Sequence, residues 1–132
     1  MAWNEDFATG IDEIDMQHKL LFDHTDMFRD VLSEGVGEKT YWSFLEFLQT
    51  FVQVHFGYEE QCMFAHRCPC AGKNKKEHAL FSKFIRDQVA DYERDGFDRQ
   101  KANRLLSHVD QWLQNHIVGI DISLRDCAPR DT

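Results

Sequence analysis

Apolar residues in this chain recur at intervals of three and four, and this rhythm restricts the fold more than any other feature. Residues 11–35, "IDEIDMQHKLLFDHTDMFRDVLSEG", carry Ile14, Leu21, Met27, Phe28, Val31 and Leu32 at helical spacing and stop at Gly35. Residues 40–66 predict a second helix capped at Thr40. Gly57 inside it costs about 1 kcal/mol. "CPCAG", residues 68–72, reads as a loop because Pro69 and Gly72 interrupt the pattern. Residues 73–96 predict a third helix. Residues 98–119 predict a fourth, with Asp98 as its cap and Gly119 as its stop. Strand-like alternation is missing. The expected fold is all-α, an up-down antiparallel four-helix bundle. Residues 1–11 form an N-terminal arm whose Trp3, Phe7 and Ile11 are placed to pack across one end.

A chain of 132 residues, 42% hydrophobic, is long enough for one domain with its own core. We assign residues 1–126 to it. Residues 127–132 are a polar tail, either a linker to an output domain or a frayed end. The net charge of -8 argues against nucleic acid or an anionic membrane surface as partner. The start of the chain has neither the basic nor the apolar segment of a signal peptide, and no run suits a membrane span. Cysteines at 62, 68, 70 and 127 lack the even spread of a secreted disulfide framework. The expectation is a cytoplasmic, reduced protein.

The chain has seven histidines, at 18, 24, 55, 66, 78, 108 and 116. Any one alone would ordinarily be a surface or packed residue. Their joint placement carries the signal. His18 lies in the first helix, and His55 and Glu59 lie one turn apart in the second. His78 lies early in the third, and His116 ends the fourth. Asp121 follows beyond Gly119. Each helix thus offers a metal-binding side chain, as bundles do when they build metal sites in their cores. Nitrogen-rich ligation with two carboxylates suits iron better than magnesium or calcium. Six candidates exceed one tetrahedral zinc and fit two metals. The ferritin-like class needs Glu-x-x-His motifs, which this chain lacks. His24 and His108 read as surface residues.

Trp3, "GIDEIDMQHKLLF", "HFGYEE" with the following Met63, Pro69, "KKEH" and "WLQNHIVGID" resemble the hemerythrin-like domains, the bacteriohemerythrins in particular, in order and spacing over nearly the whole chain. The resemblance implies a four-helix bundle holding two non-heme iron ions with an oxo or hydroxo bridge, at which dioxygen or another small diatomic molecule or anion binds. It implies His18 and His55 on one iron, His78 and His116 on the other, and Glu59 and Asp121 as bridges. Glu60 would then face elsewhere as a solvated residue. Phe56, Trp112, Leu113 and Ile117 match the family's apolar dioxygen pocket, and ordinary core packing would place them similarly.

One position departs from the pattern. The family has His-x-x-x-His at the start of the third helix, and this chain has "NKKEH", with Asn74 in the first place. Asn74 could bind through its amide oxygen, hold a water in the gap, or leave the site partly loaded. We favour the water. Cys62, His66, Cys68 and Cys70 could ligate a zinc, but a loop of thiols, open to oxidation, is the simpler reading. The expected role is a non-enzymatic sensory domain of a larger signalling protein, such as a cyclic-dinucleotide cyclase or chemoreceptor, with an output domain attached. A free-standing dioxygen carrier is the alternative, and a di-iron peroxidase or nitric oxide reductase a further one.

Overall fold

The structure, a computed structural model, describes residues 3–117 and 124–127. Within them the chain is helical, with no strand among the described residues. The four expected helices form: α1 (Asp12–Ser33), α2 (Glu38–Ala65), α3 (Ala71–Asp95) and α4 (Arg99–Trp112). A π-helical turn, Leu113–Ile117, extends α4, and a short helix, α5 (Leu124–Cys127), comes after it. Short links make successive helices antiparallel, with α2 packed on α1 and α3, and α4 packed on α1.

Buried positions explain the packing. In α1, Ile14, His18, Leu21, Thr25, Phe28 and Leu32 alternate in steps of four and three. Asn74, His78, Phe81, Ile85 and Val89 make the inward stripe of α3. Polar ligand-type residues therefore occupy core positions at one end of the bundle, while the other end is aromatic. There Phe28 stacks on Phe44 at 4.8 Å, and Tyr41 lies 5.6 Å from Tyr92 and 5.5 Å from Phe97. Arg99 donates to the carbonyls of Leu32 (2.8 Å) and Gly35 (3.0 Å), satisfying acceptors that the end of α1 leaves open.

Three boundaries differ from expectation, each for a local reason. Helix α2 starts at Glu38, before Thr40. Its preceding residue, Gly37, has φ +127°, a conformation that favours glycine, and a Cβ there would meet Leu32 Cδ1 at 3.1 Å. Helix α3 starts at Ala71, so the loop after α2 is only residues 66–70. The α-helical part of α4 ends at Trp112 instead of running to Gly119, and the wider turn that follows buries Leu113, His116 and Ile117 together. Asp98 caps α4 as expected, accepting from the Gln100 amide at 2.8 Å.

The N-terminal arm packs on the bundle through Phe7, stacked on Phe22 at 5.7 Å, and through the partly buried Trp3. The buried Asp15 carboxylate holds it, accepting from the Thr9 amide (2.7 Å), the Thr9 hydroxyl (2.8 Å) and the Gly10 amide (3.1 Å). Arg125 of α5 donates to the Ala8 carbonyl at 2.5 Å and to the Asp6 carbonyl.

Tyr41 allows a direct test of the aromatic end. Its phenol is pushed up to about 12 from 10.0, first by burial and then by the Asp91 and Asp98 carboxylates. The folded chain keeps this proton where the unfolded chain loses it. The associated stability is complete below pH 10.0 and is lost as pH rises toward 12. A phenolate absorbance titration should show one late tyrosine, absent in Tyr41→Phe. Identical midpoints for all tyrosines would contradict this packing.

Candidate metal centre

The antiparallel order brings the C-terminal half of α2 beside the N-terminal parts of α1 and α3 and the end of α4. His18, His55, Glu59, His78 and His116 meet there, all buried. Glu59 Oε2 lies 3.4 Å from His18 Nε2 and 3.3 Å from His55 Nε2, and those two nitrogens are 3.0 Å apart. The other oxygen, Oε1, lies 3.1 Å from His78 Nε2 and 3.9 Å from His116 Nε2. The result is two buried triads, His18–His55–Glu59 and Glu59–His78–His116, that share one carboxylate.

Burial would push the Glu59 carboxyl up, but His18, His55 and His78 override it and hold the group well below the usual carboxylate range. Glu59 is thus an anion fully out of water, a state that is costly without cationic or metal partners. The donor set fits a transition metal. Metal–imidazole bonds of about 2.0–2.1 Å place neighbouring donor atoms roughly 3.0–3.4 Å apart, and all the separations above except the 3.9 Å one fall in that range. Glu59 Oε2 in one triad and His78 Nε2 in the other are buried and make no hydrogen bond, as atoms each aimed at its own cation would.

Each of three imidazoles is oriented through its other nitrogen. His55 Nδ1 meets Gln17 Oε1 at 2.5 Å, and Gln17 Nε2 in turn donates to Glu13 Oε1 at 3.1 Å. His78 Nδ1 meets Glu60 Oε2 at 3.0 Å, and His116 Nδ1 meets Glu77 Oε2 at 2.7 Å. The carboxylate oxygens and the Gln17 amide oxygen can only accept, so these Nδ1 atoms donate, and each Nε2 is turned toward Glu59. Glu60 is therefore not the solvated residue the sequence led us to expect. Gln17 and Glu77 were missed altogether. Their signal was adjacency, since residues 17, 60 and 77 each directly flank a candidate ligand and serve a histidine on the next helix.

The aromatic pair expected around the site packs on one half of it. Phe56 stacks on His78 at 3.8 Å and 4°, and Trp112 stacks on His116 at 4.3 Å and 16°. Leu113 and Ile117 are fully buried in the same core. Asn74 is buried too, and its amide nitrogen lies 3.0 Å from both Glu59 Oε1 and Met63 Sδ, while its Oδ1 has no hydrogen bond. Asp121 falls outside the described residues. The cysteine loop departs from a set of thiols. Cys68 is buried and disulfide-bonded, whereas Cys62 and Cys70 carry thiols. A disulfide sulfur is no thiolate, and His66 is exposed, so the four-residue zinc reading is not supported. His24 is half-buried against Phe47, a ring stack at 3.9 Å, and His108 stacks on Phe84 at 3.6 Å.

Glu59→Gln keeps the shape of the shared residue and removes its charge. We expect it to abolish tight uptake of divalent transition metal by both triads, measured as metal per chain after anaerobic loading and desalting. Retention of the wild-type content would refute a shared carboxylate at the centre.

The hemerythrin family model, described as the hemerythrin HHE cation binding domain, matches residues 9–122. A bacteriohemerythrin of Stenotrophomonas maltophilia is 27% identical over 135 residues, which cover 96% of this chain and 80% of that protein. A bacteriohemerythrin of Clostridium acetobutylicum is 25% identical over 126 residues, covering 91% and 95% respectively. A hemerythrin-like protein of Naegleria gruberi is 25% identical over 123 residues, covering 93% and 89%. The matched span takes in α1 to α4 and every buried donor around Glu59, and the chain belongs to the hemerythrin HHE cation-binding domain family.

Proposed function

We propose that this chain is a non-heme di-iron domain that binds dioxygen or another small diatomic molecule or anion, and that it serves as the sensory part of a larger signalling protein. The observation that carries this reading is the sharing of one buried, ionised carboxylate between two histidine pairs. His18, His55 and Glu59 Oε2 would hold one iron, and His78, His116 and Glu59 Oε1 the other. Asp121 is our proposed second bridge. When bound, such a pair supplies a centre that passes between ferrous and ferric states and takes up a small ligand.

The chain's own residues support that role. Phe56 and Trp112 cover His78 and His116 and, with Leu113 and Ile117, make the wall beside them apolar. Asn74 offers no imidazole on that side. Its amide instead donates to the shared carboxylate, and we infer that a water, held by hydrogen bonding, takes the place of the missing ligand. An open position of this kind favours a redox-responsive centre over a store of bound gas. The domain itself is read as non-catalytic, and any enzymatic output would belong to an attached domain. The carrier reading draws its support from the complete apolar wall and from coverage of most of the relatives' length.

No helix among the described residues is long and apolar enough to cross a membrane. We propose a cytoplasmic location, as the sequence led us to expect; the expected full reduction of the cysteines is corrected by the Cys68 disulfide, a bond of a kind rare in a reducing compartment.

The test is iron content with optical spectra before and after air exposure of anaerobically loaded protein. We expect two irons per chain and prompt conversion to the ferric state. Asn74→His should slow that conversion several-fold by filling the open position. An unchanged rate in the variant would count against the role given to Asn74. A slow, reversible response in the wild type would favour the carrier, and one iron or none would overturn the di-iron reading.

A further inference from the structure

The three hydrogen bonds behind the histidines are chemically unequal. On the His18–His55 side the acceptor is Gln17, a neutral amide whose orientation is fixed because its Nε2 donates to Glu13. On the His78–His116 side both acceptors are carboxylates, Glu60 at 3.0 Å and Glu77 at 2.7 Å. Their side chains are 28% and 32% exposed, so they keep partial hydration, which lowers the cost of remaining ionised. The carboxylate-backed side is also the one where Asn74 stands and where Asn74 draws on Glu59 Oε1.

A charged acceptor makes a stronger hydrogen bond than a neutral one, roughly twofold in strength. By drawing on the Nδ1 hydrogen it leaves the opposite nitrogen a better donor to a cation. We propose that Glu60 and Glu77 are positioning residues that set the metal affinity of the His78–His116 subsite, offsetting the ligand that Asn74 does not supply. This rests on the two-metal reading. The two subsites then achieve binding differently. One backs a histidine with a neutral amide, and the other, with the same number of donors, backs both of its histidines with carboxylates.

The experiment is anaerobic calorimetric titration of the metal-free full chain with ferrous ion, joined to iron per chain after desalting. In the wild type two ions should bind. In the Glu60→Gln/Glu77→Gln double variant, which copies the neutral backing of His55, one ion should bind with unchanged affinity. The other should weaken by about 10- to 100-fold per lost carboxylate at most, the usual range for such partners. The single variants, each retaining one carboxylate, should fall between, and they serve if the double variant does not fold. Gln17→Glu, which puts a carboxylate behind His55, should tighten binding of the His18–His55 ion, a gain that a purely structural role would not produce. Wild-type protein binding fewer than two ions would overturn the two-metal reading itself. Two ions in the wild type, with unchanged or equally weakened binding of both in the carboxylate variants, would overturn this proposal alone.

Discussion

A single carboxylate buried among four imidazoles is the constraint on which the rest of this structure depends. An ion of this kind is tolerable inside a protein only when its charge is met at close range. Glu59 meets that condition by turning one oxygen to the α1–α2 pair of histidines and the other to the α3–α4 pair. The irregular features around it serve the same end. The early start of α3 places Asn74 within reach of Oε1, and the π-helical turn after Trp112 lets His116 face inward while Leu113 and Ile117 stay packed. The aromatic far end of the bundle supplies packing that this end gives up to polar groups.

Support for the histidines passes from helix to helix. Gln17 of α1 serves His55 of α2, Glu60 of α2 serves His78 of α3, and Glu77 of α3 serves His116 of the π-helical turn after α4. A ligand and the partner of a neighbouring ligand are adjacent in sequence in every case. On a helix, adjacent residues point about 100° apart, so one can face the centre while the next faces the neighbouring helix. Ligand geometry is therefore tied to the rotation of each helix about its axis, and a change at the centre has a direct mechanical route into helix packing.

The halves of the centre are not equivalent. The side that lacks an imidazole at residue 74 is also the side covered by Phe56 and Trp112 and backed by two carboxylates. Apolar cover, an asparagine in place of an imidazole and carboxylate backing thus coincide on one side. The opposite side is plainer, with Phe51 stacked on His55 at 4.7 Å and a neutral amide behind it.

Periodicity alone determined that this chain makes four helices, because burial of an apolar stripe repeats every three to four residues whatever the partner is. The candidate metal-binding side chains were equally visible in the pattern, since His18, His55, Glu59, His78 and His116 occupy inward positions of those stripes. Sequence could not show what stands behind the ligands. Glu60 looked like a solvated acid and Glu77 like one charge among lysines, and only packing of α2 on α3, and of the π-helical turn beside α3, turned them toward imidazoles. Nor could it show that Asn74 reaches Glu59, or that Cys68 is not a thiol. These facts depend on helix rotation, on a helix starting two residues early and on contacts between distant segments. Local pattern fixes which face of a helix is buried, whereas the distance between two particular atoms on that face is set only when all the helices are packed.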